Sequence, residues 1–188
     1  MADKPHNFVG RGGMKLDHAL AVFNLDVTGL VCADLGCHAG GFTDCLLQRG
    51  AAKVYAVDTG YGVLDYKLRK DARVVVMERA NAMHVSLPEA VDLVVIDVGW
   101  TRQKHILPAA KRLLKPGGRV VSLIKPHYEA TPDMLVNKLL PEAQLEPVLE
   151  RVRSDISAAG FTIRNWTDSP ILGNRGNREM LGELAMSD

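Results

Sequence analysis

The sequence has no excess of charge of one sign and no long apolar run. Its 23 Lys and Arg residues are balanced by 22 Asp and Glu residues, which leaves a formal net charge of +1. Composition therefore argues neither for nor against a nucleic-acid partner, and any basic surface would have to be local. No stretch is apolar enough to cross a bilayer or to form a signal-peptide core, so we expect a cytoplasmic protein with no membrane partner.

Cysteine is also scarce. Cys32, Cys37 and Cys45 are the only cysteines of the chain, and they do not form the paired Cys-x-x-Cys halves of a zinc site or the framework of a disulfide-rich protein. We expect them to be reduced, small apolar residues and we expect no metal. The 188 residues, 47% of them hydrophobic, suit one domain, with a lead-in helix in residues 1–28 and a core in residues 29–188.

Short β-branched runs alternate with helical patterns along the core. This order predicts an α/β, Rossmann-like fold with a mostly parallel seven-stranded sheet, helices on both faces and an antiparallel C-terminal strand. Pro132, Pro141 and Pro147 break the pattern, so the last helix is expected only after Pro147. The helix in residues 13–23 is expected to pack on the sheet and to cover the strand ends. The predicted strands are 30–34, 53–58, 73–78, 92–97, 119–125, 161–167 and 179–185, and the other predicted helices are 41–48, 64–69, 102–114 and 148–159.

A glycine-rich turn joins the first predicted strand to the helix that follows. Residues 33–42 read Ala-Asp-Leu-Gly-Cys-His-Ala-Gly-Gly-Phe. Glycine lets a backbone approach a ligand closely and adopt positive φ, and a helix N-terminus offers N–H donors to an anionic group. Such a turn alone is weak evidence of a ligand site. His38 lies within it, either as an exposed loop residue or as a ligand contact.

Two polar residues after the next strands make a nucleotide-like ligand more specific. Asp58 ends the second strand, at about the 20-residue offset where an acidic side chain binds ribose hydroxyls. Asn81 follows the third strand, where an adenine edge would lie, although asparagine there is also common in turns. The spacing of Gly36, Gly40 and Gly41 matches neither a dinucleotide fingerprint nor a phosphate-binding loop. S-adenosylmethionine therefore fits better than NAD or ATP.

Charged residues also end two further buried strands. Asp97 closes the fourth strand, and Lys125 closes the fifth. Because the carboxyl ends of parallel strands meet at one edge of a sheet, we expect these two charges to pair there. The pair is either a structural salt bridge or part of a reaction site.

Several motifs together resemble the FtsJ-like RNA methyltransferases, and most closely their TlyA branch. They are Gly-Arg-Gly-Gly-Met-Lys-Leu at residues 10–16 and the segments 34–47, 57–62, 96–98, 123–129, 169–171 and 176–179. The resemblance implies a methyltransferase that uses S-adenosylmethionine to methylate ribose 2′-hydroxyls of ribosomal RNA. It implies a catalytic tetrad of Lys15, Asp97, Lys125 and Glu179. It also implies cofactor contacts from Asp34, Gly36, His38, Gly40, Gly41, Phe42, Asp58, Thr59, Asn81 and Asp97.

Within the tetrad, we expect Lys125 to act on the ribose hydroxyl, which is a poor nucleophile. It would either remove the proton or stabilise the developing alkoxide, and the sequence does not separate these roles. Asp97 and Glu179 would orient Lys125 and balance charge, and Lys15 would lie near it. Glu129 competes with Glu179 as the fourth member, but Glu179 matches the family motif better.

Some features depart from the family pattern or leave alternatives open. Asp-Val-Ser-Phe is replaced by Asp-Val-Gly-Trp at residues 97–100, and Lys-Pro-Gln-Phe-Glu by Lys-Pro-His-Tyr-Glu at residues 125–129. Trp100 and Tyr128 would either stack on a base or pack under a loop. Basic residues near the same sheet edge form either an RNA-binding patch or scattered surface charge, namely Arg11, Lys104, His105, Arg175 and Arg178.

TlyA-type proteins commonly carry a small RNA-binding domain ahead of the methyltransferase. This sequence begins almost at the lead-in helix, so we expect that a separate RNA-binding protein could supply the function of that domain. Two alternative hypotheses for the function remain. One is a methyltransferase for a small molecule or a protein, and the other is a non-catalytic module that binds RNA or a partner. The complete tetrad argues against both.

Overall fold

A computed structural model describes residues 7–187 of the chain. Seven strands form one sheet in the order β3-β2-β1-β4-β5-β7-β6, and β7 runs antiparallel to both of its neighbours. The predicted fold class is therefore confirmed, although the antiparallel strand lies inside the sheet and β6 is at the edge. The strands are β1 (Val31–Leu35), β2 (Lys53–Val57), β3 (Val74–Met77), β4 (Val91–Ile96), β5 (Leu114–Ile124), β6 (Phe161–Asp168) and β7 (Met180–Met186).

Helices cover both faces of the sheet. They are α1 (Gly12–Val22), α2 (Gly41–Gln48), α3 (Tyr66–Arg69), α4 (Gln103–Leu113), α5 (Pro126–Glu129) and α6 (Glu142–Ala158). Strand residues alternate between two apolar clusters, as period-2 geometry requires: in β4, Leu93 and Val95 pack with α1 and α2, whereas Val94 and Ile96 pack with α4 and α6. Within residues 7–187, no helix has the length and apolarity needed to span a membrane.

Helix α1 lies on one face of the sheet. Its buried residues Leu16, Ala19 and Leu20 pack in the same cluster as Cys45, Leu46 and other residues of α2. The apolar side of this helix therefore packs on the sheet face beside α2, and only the start of the helix reaches the strand ends that it was expected to cover. Gly10 and Arg11, just before the helix, and Gly12, its first residue, reach the edge where the strands end.

Prolines and glycines interrupt the elements less than the sequence suggests. Helix α6 begins at Glu142 and continues through Pro147, so the predicted start at residue 148 is wrong. Proline inside a helix costs about 3 kcal/mol, and burial of Leu145, Val148 and Leu149 on the core offsets that cost. Strand β5 likewise begins at Leu114, with the residues around Gly117 accommodated by an irregularity opposite β4.

The register of the central strands brings the candidate residues to one edge. Leu35 at the end of β1 pairs with Val57 of β2 and with Ile96 of β4. The residues that follow these three strands, including Asp58 and Asp97, therefore emerge side by side. This is the edge at which open parallel sheets bind their ligands.

Candidate functional site

A cavity of about 670 Å³ opens at the carboxyl ends of the central strands. This volume lies in the range of small-molecule sites, which is roughly 300–1,000 Å³. Of the predicted cofactor contacts, Gly36, His38, Gly41, Phe42, Asp58, Thr59, Asn81 and Asp97 line the cavity, and so does Lys125. Asp34 and Gly40 are absent from its lining.

The glycines of the turn after β1 allow chain segments to approach each other. Gly36 has φ +88°, and a Cβ there would lie 2.7 Å from the carbonyl oxygen of Asp97. A Cβ on Gly41 would lie 2.8 Å from the backbone nitrogen of Gly13. Gly40 has φ +98° and faces Leu64 and Leu68. These contacts show that the glycines are needed first for packing of the turn against the lead-in segment and β4.

The N-terminus of α2 points its first turn toward the cavity. The N-cap residue Gly40 has no side chain to cap the helix, so the N–H groups of Gly41 and Phe42 are available to an anionic group of a ligand. Phe42, in that turn, lines the cavity. The lead-in segment is attached here by Asp44, whose carboxylate accepts a hydrogen bond from the Val9 N–H at 2.8 Å. Sequence reasoning missed Asp44, because its role appears only when distant segments meet.

Asp34 lies beneath the turn. It is fully buried, and its Oδ2 accepts a hydrogen bond from the Thr43 hydroxyl at 2.7 Å, whereas Oδ1 has no partner among the described residues. Burial raises the pKa of Asp34 to about 7. Its position therefore supports the start of α2 from below.

Asp58 is fixed in the cavity wall by backbone donors. Its Oδ2 accepts from the N–H of His38 at 2.9 Å, and its Oδ1 accepts from the N–H of Gly60 at 2.7 Å. His38 itself is exposed and has φ +47°. A carboxylate has about four lone-pair sites, so Asp58 keeps acceptor capacity for hydroxyl groups of a ligand.

Asn81 and its neighbours form another wall. Asn81 Oδ1 accepts from the N–H of Met83 at 2.9 Å, which leaves the amide NH₂ free to donate to a ligand. Ala82, Met83 and Ile106 add apolar surface to the cavity. A carboxylate for hydroxyls, helix N–H groups for a carboxylate, and an amide beside apolar walls are the groups that a bound S-adenosylmethionine requires, so the residues present fit this cofactor.

The four residues of the predicted tetrad form two ion pairs. Lys125 Nζ lies 2.5 Å from Asp97 Oδ1, and Lys15 Nζ lies 2.6 Å from Glu179 Oε2. Lys125 also donates to the carbonyl oxygen of Val98 at 3.2 Å. The side chains of Lys15 and Glu179 are only 12% and 4% exposed. The predicted pairing of Asp97 with Lys125 is present, and the lead-in helix supplies the second pair.

His127 belongs to this region and was missed by sequence reasoning. Its side chain is buried and its Nδ1 has no partner among the described residues. Burial, together with the positive charges of Lys125 and Lys15, lowers the pKa of His127 to about 4. A neutral imidazole therefore lies within electrostatic range of both lysines. The signal in the sequence was the histidine that replaces glutamine after Lys-Pro.

Glu129 has a structural role. Its carboxylate accepts a hydrogen bond from the N–H of Gln103 at 2.9 Å and so caps the start of α4. Burial raises its pKa to about 7. Because Glu179, and not Glu129, is paired with Lys15, the geometry agrees with the choice of Glu179.

Aromatic residues flank the cavity on the β4–β5 side. Trp100 is 81% exposed, lines the cavity and lies 4.7 Å from the ring of Tyr128. The Tyr128 ring lies 4.1 Å from His127. Of the two alternatives for Trp100, packing under a loop is therefore wrong. We call Trp100, Tyr128 and His127 the aromatic shelf.

The predicted basic patch is only partly available. Arg178 forms ion pairs with Glu142 and Asp168, so the expectation that it faces RNA phosphates is not supported. Arg11 lines the cavity and donates to the carbonyl oxygen of Leu172 at 3.1 Å. Lys104, His105 and Arg175 are exposed. The cysteines Cys32, Cys37 and Cys45 are free and buried, as predicted.

The strand order and the position of the cavity define a class I S-adenosylmethionine-dependent methyltransferase fold. A solved S-adenosylmethionine-dependent methyltransferase of Listeria monocytogenes has this fold at 17% identity, with a TM-score of 0.69. The chain belongs to the FtsJ-like methyltransferase family, which matches residues 8–184. This assignment confirms the predicted family and the predicted cofactor class.

Relatives within the family are more similar. A Bacillus subtilis protein labelled as an rRNA methyltransferase, YqxC, is 40% identical over 96% of this chain and 66% of its own length. The 16S/23S rRNA (cytidine-2′-O)-methyltransferase TlyA of Mycobacterium tuberculosis is 44% identical over 69% of this chain and 49% of its own length. A solved hemolysin-labelled protein of Streptococcus thermophilus has 40% identity and a TM-score of 0.95, covering 100% of this chain and 70% of that one. The chain thus spans between 49% and 70% of the length of these relatives.

Proposed function

We propose that this protein methylates ribose 2′-hydroxyls of ribosomal RNA, with S-adenosylmethionine as the methyl donor. The observation that supports this most is the Lys125–Asp97 pair, which lines the same cavity as the turn after β1. A lysine held at that edge suits a hydroxyl substrate, which needs help to become a nucleophile. A methyltransferase for a more reactive nitrogen or sulfur atom has no need of such a group.

The bound cofactor supplies an electrophilic methyl group on its sulfonium. The protein must then hold the hydroxyl in line and remove or balance its proton. Asp97 fixes Lys125 at the cavity wall, and the Val98 carbonyl holds the same ammonium group from another direction. Lys125 is therefore positioned either to accept the hydroxyl proton or to stabilise the alkoxide oxygen.

The second pair supports this arrangement from the lead-in helix. Glu179 neutralises Lys15, so one extra positive charge beside Lys125 is balanced. Neutral His127, which feels the charge of both lysines, adds no further positive charge there. We assign Lys125 the direct role and Lys15, Asp97 and Glu179 the positioning of charge around it.

The substrate class sets the wider context. TlyA of Mycobacterium tuberculosis carries the name of an rRNA cytidine-2′-O-methyltransferase, and the exposed face of Trp100 suits stacking on a base of such an RNA. Ribosomal RNA would place the enzyme in the cytoplasm. We further propose that residues 1–188 act as one methyltransferase domain and that an RNA-binding partner helps to select the RNA.

The test combines cofactor binding with methyl transfer. Calorimetry measures S-adenosylmethionine binding, and tritiated methyl transfer to total bacterial ribosomal RNA measures activity. Alkaline hydrolysis then locates the methyl group, because a 2′-O-methyl group protects the neighbouring phosphodiester bond. We expect wild-type protein to bind and transfer, and Lys125→Ala to bind but to lose about 10²–10⁴-fold in transfer rate.

Two further variants sharpen the result. Lys125→Arg keeps the positive charge but cannot be deprotonated, so it retains activity only if the role is electrostatic. Lys53→Ala is a matched control, because Lys53 forms an ion pair with Glu89 at 2.7 Å at the opposite edge of the sheet. Cofactor binding without transfer to ribosomal RNA, or transfer that leaves no alkali-resistant bond, would overturn the proposal.

A further inference from the structure

Two exposed tyrosines between β2 and β3 each carry a cation on one ring face. Tyr61 is 73% exposed and the Arg79 guanidinium lies 4.1 Å from its ring centre. Tyr66 is 68% exposed and Lys70 Nζ lies 4.3 Å from its ring centre. We call these four residues the tyrosine surface. None of them takes part in the site described above.

The two cations of the tyrosine surface differ from their neighbours in sequence. Lys67, Arg69 and Arg73 are neutralised by Asp44, Glu78 and Asp71, respectively. Within residues 7–187, Lys70 and Arg79 have no carboxylate partner. Their positive charge is therefore available to an anion, and aromatic rings hold it in place.

The exposure of Tyr61 is fixed by the structure around it. The Glu78 carboxylate accepts hydrogen bonds from the N–H groups of Gly62, Val63 and Leu64. On the other side of Tyr61, the Gly60 carbonyl accepts a hydrogen bond from the Arg79 N–H at 3.0 Å, and Arg79 has φ +55°. A non-glycine residue at positive φ costs free energy, and such strain is found most often where a side chain has a function.

Residues of the tyrosine surface follow β2 and β3, and residues of the aromatic shelf follow β4 and β5, so the two lie on different sides of the sheet edge that holds the cavity. Tyr61 and Arg79 are close in sequence to Thr59 and Asn81, which line the cavity from the β2–β3 side. Trp100 and Tyr128 follow β4 and β5. A chain molecule that crosses the mouth to reach Lys125 can therefore contact both surfaces.

We propose that the tyrosine surface binds the RNA strand next to the modified nucleotide. Phosphates would bind Lys70 and Arg79, and unstacked bases would stack on the free faces of Tyr61 and Tyr66. An acidic protein would explain the cations but not the paired exposed rings. The inference rests on the proposed function for the identity of the substrate, and it adds a binding surface that is separate from the reacting groups.

The test measures RNA affinity apart from catalysis. A fluorescein-labelled single-stranded RNA of mixed sequence is titrated by anisotropy with wild-type protein, with Lys70→Ala/Arg79→Ala, and with Tyr61→Leu/Tyr66→Leu. We expect the tyrosine variant to lose at least about fivefold in affinity, and Tyr61→Phe/Tyr66→Phe to restore it. The cation variant should also reduce the slope of log affinity against log salt by roughly 0.7 for each lost phosphate contact.

The matched control is Lys111→Ala/Arg164→Ala, which removes two exposed positive charges from helix α4 and the edge strand β6. Its affinity should stay near that of the wild type, and calorimetry should show unchanged S-adenosylmethionine binding in every variant. An equal loss of RNA affinity in the control variant would overturn the proposed RNA-binding role of the tyrosine surface. So would an equal loss of affinity for polyglutamate, an anion without bases, in the tyrosine variant. If the differences in RNA affinity persist but wild-type protein methylates no ribosomal RNA, the proposed function fails and the surface stands.

Discussion

The two halves of the cavity hold their charged groups in different ways. On the β2–β3 side, acidic side chains accept hydrogen bonds from backbone N–H groups. Asp58 accepts from those of His38 and Gly60, and Glu78 accepts from three N–H groups of the loop after β2. On the β4–β5 side, charges pair with one another through side chains, as Lys125 does with Asp97 and Lys15 with Glu179.

This difference in how charges are held suggests that the β2–β3 side binds the cofactor and the β4–β5 side carries the reacting groups. Carboxylates held by backbone donors shape loops and have fixed positions, which suits recognition of a cofactor that is the same in every turnover. Side-chain pairs can exchange partners without moving the backbone, which suits groups that must respond to a hydroxyl that loses its proton. Substitutions on the β4–β5 side should therefore change rate, whereas those on the β2–β3 side should change affinity or stability.

After Lys125 itself, the largest effect is expected from the second ion pair, Lys15 with Glu179. Lys15→Met and Glu179→Gln should each lower methyl transfer about 100-fold or more, because each leaves an unbalanced charge beside Lys125. Since the two residues act as a unit, the double variant should be no slower than the worse single variant. Single-turnover transfer rates on ribosomal RNA measure this cycle. Losses that multiply in the double variant would show two independent roles and contradict the pairing.

A smaller effect, on affinity, is expected from Asp58→Asn. Loss of a charged acceptor should weaken S-adenosylmethionine binding by about 10- to 100-fold, with little change in transfer rate at saturating cofactor. Calorimetry and saturation kinetics separate the two quantities. Asp26→Asn is the matched control, because Asp26 accepts the N–H of Thr28 two residues on, as Asp58 does with Gly60, but lies away from the cavity. A pure rate defect in Asp58→Asn would break the comparison.

The residues that sequence reasoning placed correctly share a local signal. Asp97 and Lys125 each end a buried apolar run, and a parallel sheet brings such ends together. Helix α2 has the predicted bounds because a glycine turn and an apolar period mark it directly in the sequence. In each case the deciding information lies within one element and its flanks.

The features that sequence reasoning missed depend on distant segments. Attachment of Val9 to Asp44 and the close approach of Gly36 to Asp97 exist only once the lead-in segment and β4 are in place. Arg178 has the same limitation, because its acidic partners come from other elements. Helix α6 continued through Pro147 because core burial outweighed a local rule.

The β2–β3 side should respond to Glu78→Gln through stability. The neutral side chain accepts the three backbone N–H groups less strongly and loses the ion pair with Arg69, so we expect a lower free energy of unfolding than in the wild type. Urea unfolding at pH 7 measures it. Glu89→Gln is the control, since Glu89 is half-exposed and, among residues 7–187, accepts hydrogen bonds from the side chains of Lys53 and Tyr55 but from no backbone N–H. Equal losses of unfolding free energy in the two variants would mean that the hydrogen bonds from the backbone do not make Glu78 more stabilising than Glu89.

The smallest effect is expected at His127, and only in acid. Its pKa is lowered to about 4 in the folded protein, below the value near 6.5 of an unfolded chain, so the unfolded state binds more protons between these values. Stability should therefore fall as the pH drops from about 6.5 toward 4, whereas above pH 6.5 the histidine has no such effect. His127→Gln removes this titration and should raise the free energy of unfolding by about 1–2 kcal/mol at pH 5 relative to wild type, with a much smaller difference at pH 8.

Thermal unfolding at pH 5 and pH 8 measures the change. The control is exposed His105→Gln, which should leave the free energy of unfolding unaltered at both pH values. A gain of the same size at both pH values would mean that the lysines and burial do not hold His127 neutral, and that the β4–β5 side is no more sensitive to charge than the β2–β3 side.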